Sequence, residues 1–183
     1  MSDTNQRDTH PVTRRTAIKS IAGVAGIGVG TLTLSGRASA VGEYLIRHMD
    51  SWKVLDATGD NHGANVVLWD YWGGDNQRWY LTFSGDERRF KNVDNGLVLG
   101  VKGSNIQNGA NVTVRNPGIG PEQSWFSSPL SGGGYSFAYR NSSKVMQTDW
   151  PGNPAGNYDN GTNVYIYEER SRHNRQTWRV EEV

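Results

Sequence analysis

The tripeptide Gln-x-Trp occurs three times, as Gln77-Arg78-Trp79, Gln123-Ser124-Trp125 and Gln176-Thr177-Trp178, at spacings of 46 and 53 residues. A repeat of this period constrains a fold more than composition does, because one such unit cannot bury its apolar face alone. Two further markers keep the same order. Gly-x-Asn-Val begins at Gly63, Gly109 and Gly161, and its Asn precedes the Gln by 12, 12 and 13 residues. The pairs Val54-Leu55, Val98-Leu99 and Val145-Met146 each lie eight residues after an apolar position, at Ile46, Phe90 and Phe137. From the second residue of each pair to the Asn the intervals are unequal, at 10, 12 and 17 residues. The longest holds Asp149-Trp150-Pro151-Gly152-Asn153-Pro154, which is loop chemistry. Insertions confined to one place mark a surface loop.

Each unit reads as short strands. Tyr44 to His48, Lys53 to Asp56, Val66 to Trp69 and Trp79 to Thr82 are rich in β-branched and aromatic residues, bounded by Asp, Asn and Gly turns. No window keeps a helical period over eleven or more residues. A unit of about 45 residues needs a partner layer, and three units closing on one core also remove exposed strand edges. The expected fold class is all-β: a β-trefoil of three four-stranded repeats with pseudo-threefold symmetry, spanning about 41–84, 85–129 and 130–183. A three-bladed propeller is the competing architecture, but so few blades leave an unfilled hub.

The first forty residues are a different material. They carry Arg7, Arg14, Arg15, Lys19 and Arg37 against Asp3 and Asp8, and none of the 19 aromatic residues. Arg14-Arg15, the Gly-rich apolar stretch Ile21 to Leu34, and Gly36-Arg37-Ala38-Ser39-Ala40 have the layout of an export signal. The adjacent arginines resemble the twin-arginine type. Residues 1–40 are therefore expected to be a signal peptide and 41–183 an exported, secreted domain. An amphipathic helix or short anchor is the alternative, and the apolar run is short for a membrane span.

The remaining 143 residues hold 14 basic and 16 acidic side chains and no Cys. That excludes disulfides, thiol catalysis and thiolate metal sites, and the absence of a basic stripe argues against nucleic acid. His48, His62 and His173 lack metal-ligand spacing, so neither metal nor cofactor is expected. Asn111, Asn141 and Asn160 head N-x-S/T triplets, a weak glycosylation signal. Gly132-Gly133-Gly134 lacks a phosphate-loop Lys and reads as the turn between the second and third repeats.

The threefold Gln-x-Trp, with Lys53-Val54-Leu55-Asp56 and Asp75-Asn76-Gln77-Arg78-Trp79, resembles the ricin-B-type lectin family over Val41 to Val183. The resemblance implies a β-trefoil that binds carbohydrate in shallow pockets, up to one per repeat, without metal or catalysis. The chemistry of such a pocket is simple: an aromatic ring offers a π face to sugar C–H groups, and carboxylates and amides bond hydroxyls. By the resemblance, Asp56 is the hydroxyl-binding acid, Trp69 the stacking ring, and Asn76 and Gln77 the polar pair. Trp72 stands where relatives place a polar residue. Asp56 also fits a strand-end turn residue, and Trp69 also fits core packing. Trp79, Trp125 and Trp178 are core residues on this reading.

In the second repeat Gly100, Arg115 and Glu122 replace the acid, the ring and the Asn, so that pocket is expected to be blind. The third keeps a ring at Tyr167, with Gln147 for the acid and Gln176 in the pair, and its loop adds Asp149, Trp150 and Tyr158, which could rebuild a second carbohydrate site; the alternative is a surface loop whose Trp150 packs on the barrel. The expected function is a non-catalytic lectin for glycans or polysaccharides. The alternative is a trefoil protein-interaction module, such as a protease inhibitor or an adhesion protein. A glycosidase needs two carboxylates across a cleft. Asp70 with Asp75, or Glu168 with Glu169, are poor pairs for that role.

Overall fold

The computed structural model describes residues 42–140, 142–149, 158–170 and 174–183. All belong to the second of two units into which the chain divides, Ser35–Val183. The twin-arginine segment, Asn141, Trp150 and His173 lie outside the described residues.

Twelve strands form a single sheet. They are β1 (Glu43–His48), β2 (Val54–Ala57), β3 (Val66–Trp69), β4 (Trp79–Ser84), β5 (Glu87–Asn92), β6 (Val98–Val101), β7 (Ala110–Arg115), β8 (Trp125–Pro129), β9 (Tyr135–Tyr139), β10 (Lys144–Thr148), β11 (Thr162–Glu168) and β12 (Trp178–Glu182). The expected strands of the first repeat are present to within two residues at each end. Six strands pair antiparallel in a closed ring, β1–β4–β5–β8–β9–β12 and back to β1. The remaining six are the hairpins β2–β3, β6–β7 and β10–β11. These join through β11–β3, β11–β7 and the Asn65–Thr113 bridge. Closure leaves the ring without an edge, which is how a chain of short strands avoids intermolecular pairing.

The three sequence markers turn out to be the joints. Each indole N–H of Trp79, Trp125 and Trp178 donates to the carbonyl of Leu55, Leu99 or Met146, at 3.3, 3.2 and 3.1 Å. That contact satisfies a buried polar atom of an otherwise apolar side chain. Ile46, Phe90 and Phe137 are fully buried, and the two Phe rings meet edge to face at 5.2 Å. Gly63, Gly109 and Gly161 all have φ between 82° and 89°. Their N–H groups donate to Val114, Ile166 and Leu68, so each glycine bonds a strand of a different repeat. The asparagines of the same marker close a ring. Asn65 donates to Asn163 at 3.0 Å, Asn163 donates to Asn111 at 2.7 Å, and Asn111 donates to Asn65. Asn111 is thus committed to this half-buried ring, whatever its N-x-T triplet suggests. The Gly132–Gly134 turn joins β8 to β9 as expected, with Gly133 and Gly134 at positive φ.

Candidate functional site

The Gln of each marker is a clamp for the segment that follows β3, β7 or β11. Gln77 donates to the carbonyl of Asp70 at 2.9 Å and accepts the N–H of Trp72 at 3.0 Å. Gln123 does the same with Asn116 and Gly118, and Gln176 with Glu168 and Arg170. All three Gln are buried. Their hydrogen bonds fix where the residue five or six positions upstream projects. In the first repeat that residue is Trp72.

Around Trp72 lies a surface hollow of about 540 Å³, lined by Ala57–Asp60, Trp72–Asn76 and Asp94. Three elements make it. The end of β2 gives one wall, and the 72–76 segment gives another. The third comes from the β5–β6 turn, where Asn95 donates to the Gly59 carbonyl at 3.2 Å and Asn92 to the Asn76 carbonyl at 3.0 Å. Trp72 is 65% exposed. Its ring lies over Gly74, where an added Cβ would come within 2.3 Å of the indole carbons, so only glycine permits this placement. Asn76 spends its Nδ2 inside, on Asp56 at 2.9 Å and the Ala57 carbonyl at 3.2 Å, and its Oδ1 is left as an acceptor. Asp75 pairs with Arg78, which also holds Glu43 at 2.6 Å.

Asp56 sits beneath this surface, 6% exposed. One carboxylate oxygen accepts Asn76 and the other accepts Gln77 at 3.0 Å. Burial pushes its carboxyl above the usual range, and bonds from Gln77, Trp72 and Asn76 oppose that shift. Asp56 thereby orients the polar pair rather than lying open. Trp69 is 39% exposed and is not part of the hollow's lining. The register pairs Asp56 with Val67 and Val54 with Trp69. Trp69 therefore stands diagonal to Asp56 on the same outer face of the hairpin, with its ring edge 3.9 Å from the position of a Cβ on Gly161. The aromatic wall of the hollow is Trp72, the residue whose character departs from the family pattern.

Residues 33–115 match the family model described as a ricin-type beta-trefoil lectin domain-like. Over those residues the chain is similar to that family. Solved structures agree on its fold. A designed threefold-symmetric protein, ThreeFoil, matches at 28% identity and TM-score 0.69, over 77% of this chain and 99% of its own. The ricin B-like lectin of Macrolepiota procera, solved in complex with lactose, matches at 19% identity and TM-score 0.64, over 80% and 99%. An exo-beta-1,3-galactanase from Clostridium thermocellum matches at 22% identity and TM-score 0.70, over 81% of this chain but only 32% of that one. No curated protein matches the chain. Together these likenesses show a β-trefoil fold.

In the second repeat the corresponding place is filled. A Cβ on Gly100 would lie 2.8 Å from both the Arg115 side chain and the Glu122 carbonyl oxygen. Arg115 itself donates to the Val101 carbonyl. At the acid's position the second repeat has neither an acceptor side chain nor the space for one. In the third, Gln147 is buried, accepts Gln176 at 2.7 Å and donates to the Tyr165 hydroxyl at 2.8 Å. The Tyr167 ring carries the Arg170 guanidinium over it at 4.9 Å. Tyr158 is buried and meets His48 edge to face at 4.8 Å, so it belongs to the core. His48 is likewise a satisfied interior histidine, bonded to Ser51 at 2.9 Å and the Asn174 carbonyl at 3.1 Å. Among the described residues, no group of three or more His, Cys, Asp or Glu side chains could hold a metal ion, and no helix is long and apolar enough to cross a membrane.

Sequence reasoning missed the contributions of Thr58, Asp60, Gly74 and Asp94. Gly74 was marked only by the Gly73-Gly74 pair. Asp94 had no local signal, since it arrives from the next repeat.

Proposed function

We propose that this protein is a secreted, non-catalytic lectin with a carbohydrate pocket in the hollow of the first repeat. On this reading the domain is three four-stranded repeats with approximate threefold symmetry, and the first presents the ligand-facing surface. The observation that carries it is the exposed Trp72 ring beside the free Asn76 Oδ1, with the carboxylates of Asp60 and Asp94 on the same rim. A sugar ring laid on the indole brings its C–H face to the π system, while the rim accepts its hydroxyl hydrogens. Asp56 and Gln77 hold this surface from below. Trp69 flanks it, and Gln147, Tyr167 and Gln176 serve the scaffold of the third repeat.

A shallow site of this kind binds at around millimolar, about −4 kcal/mol. The non-catalytic reading is supported at Asp70, one of the acids a hydrolase would need. Hydrogen bonds from Lys53 and Asn160 hold its carboxyl below the usual range, the opposite of a general acid.

The test is retention of the full chain on immobilised β-1,3-galactan, xylan, chitin and β-glucan, with lactose as a competitor. Trp72→Ala should abolish retention and Trp69→Ala should weaken it, each leaving the melting temperature within a few degrees. A wild-type chain that no gel retains, together with a blank glycan array and capture of a protein partner, would favour the interaction-module reading. Export through the twin-arginine route is part of the same proposal. Replacing Arg14-Arg15 by two lysines should leave the protein inside the cell.

A further inference from the structure

The described tryptophans divide cleanly. Trp79, Trp125 and Trp178 are fully buried, whereas Trp52, Trp69 and Trp72 are 56%, 39% and 65% exposed, and all three exposed ones fall in the first repeat. Trp72 lines the hollow and Trp69 flanks it. Trp52 belongs to neither, and its backbone is unusual. With φ of 60° it lies in the left-handed region, where Ser104 is the only other described non-glycine residue. A bulky side chain there is a genuine outlier.

The turn itself does not demand tryptophan. Its β5–β6 counterpart makes the same bond with the same handedness. Trp52 N–H donates to the His48 carbonyl at 2.9 Å, and Gly96 N–H, at φ 70°, donates to the Asn92 carbonyl at 3.1 Å. Glycine meets the requirement without strain. The first repeat instead keeps an indole that contributes nothing to the core, and the surroundings hold it in place. Arg47 donates to the Trp52 carbonyl and is itself fixed by Glu181 at 2.9 Å. The Arg179 guanidinium lies 5.4 Å from the ring centroid, a cation–π distance. Strain that neighbours over-determine is typical of ligand clamps.

We propose that Trp52 is an additional saccharide-stacking platform outside the hollow, so that the ligand is a polymer engaging several sugar units rather than a lone terminal sugar. This rests on the carbohydrate-binding reading and names its substrate class. Position supports it. Trp52 is two residues before Val54, which is the cross-strand partner of Trp69, so the two Cα atoms are at most about 13 Å apart. Lys53 ties the same strand end to Asp70 at 2.6 Å. Tyr71, 42% exposed, lies two residues beyond Trp69 on the route to Trp72. Platforms on one rigid body raise the affinity for a chain through effective concentration and leave a single sugar unaffected.

The experiment uses the full chain and the gel among galactan, xylan, chitin and β-glucan that best retains it, with the matching monosaccharide as competitor. Trp52→Gly should weaken binding to the polymer three- to tenfold, leave the monosaccharide affinity unchanged, and keep or raise the melting temperature. Unchanged polymer affinity overturns the proposal, and so does a fall in melting temperature parallel to the loss of binding. If Trp72→Ala releases the protein while Trp52→Gly stays bound, the hollow stands and only the platform fails. If no gel retains the wild type, both fall.

Discussion

At the scale of single residues, burial decides roles that residue type leaves ambiguous. Asp56 is an open hydroxyl acceptor by family pattern, yet in the fold it is buried and holds Asn76 and Gln77. Asp56→Ala would strand both amides, so it should destabilise the domain by about 3 kcal/mol in a denaturant titration as well as impairing binding. A variant that lost binding alone would show that the carboxylate faces ligand. His48 makes a separate prediction. Burial lowers its pKa from 6.5 to about 4, against opposing contributions from Asp50 and the Asn174 carbonyl. Between those values the unfolded chain takes up a proton that the folded one refuses. Stability is therefore full above pH 6.5 and declines as pH falls towards 4, by about 3 kcal/mol. Carboxylates titrate in the same range, so the measurement is the difference between wild type and His48→Gln in melting temperature against pH. That difference should narrow as acid is added.

At the scale of elements, the hairpin framework that is open in the first repeat is closed in the second. The second repeat lacks its acid, but restoring Gly100→Asp would not reopen it. The new Cβ would meet Arg115, which can move, and the Glu122 carbonyl, which is backbone and cannot. Overpacking of this kind costs about 1–3 kcal/mol, and the double variant with Arg115→Ala should recover little of it. Differential scanning fluorimetry of the single and double variants checks this, and full recovery would show that the side chain alone closes the site. The repeat markers made the strand order and the buried indoles legible in advance, because a period in sequence is a period in burial. What the spacing could not give is the third wall of the hollow. Asp94 and Asn95 come from another repeat, and their approach depends on how the ring of strands closes.

Across the described domain, the segments that carry the three sequence markers hold each other through a few cyclic contacts. The ring of Asn65, Asn111 and Asn163 and the glycine N–H bonds around it connect every repeat to the next. Asn111→Ala removes two of those bonds, about 2 kcal/mol, and should lower the melting temperature by roughly 4–8 °C. The loss should come as one cooperative transition, since no unit of this size buries its own face. A separate early transition in calorimetry would mean that the repeats are independently stable.

The amino-acid order was enough to establish the all-β character of the domain and the buried place of Trp79, Trp125 and Trp178. Both follow from periodic hydrophobicity and local turn chemistry, which each segment expresses on its own. Which ring lines the hollow, that Asp56 lies under the surface rather than on it, and that the third repeat consumes its own amides depended on the folded assembly. Those outcomes hinge on which neighbour reaches a given polar atom first, and packing brings together groups that are distant along the chain.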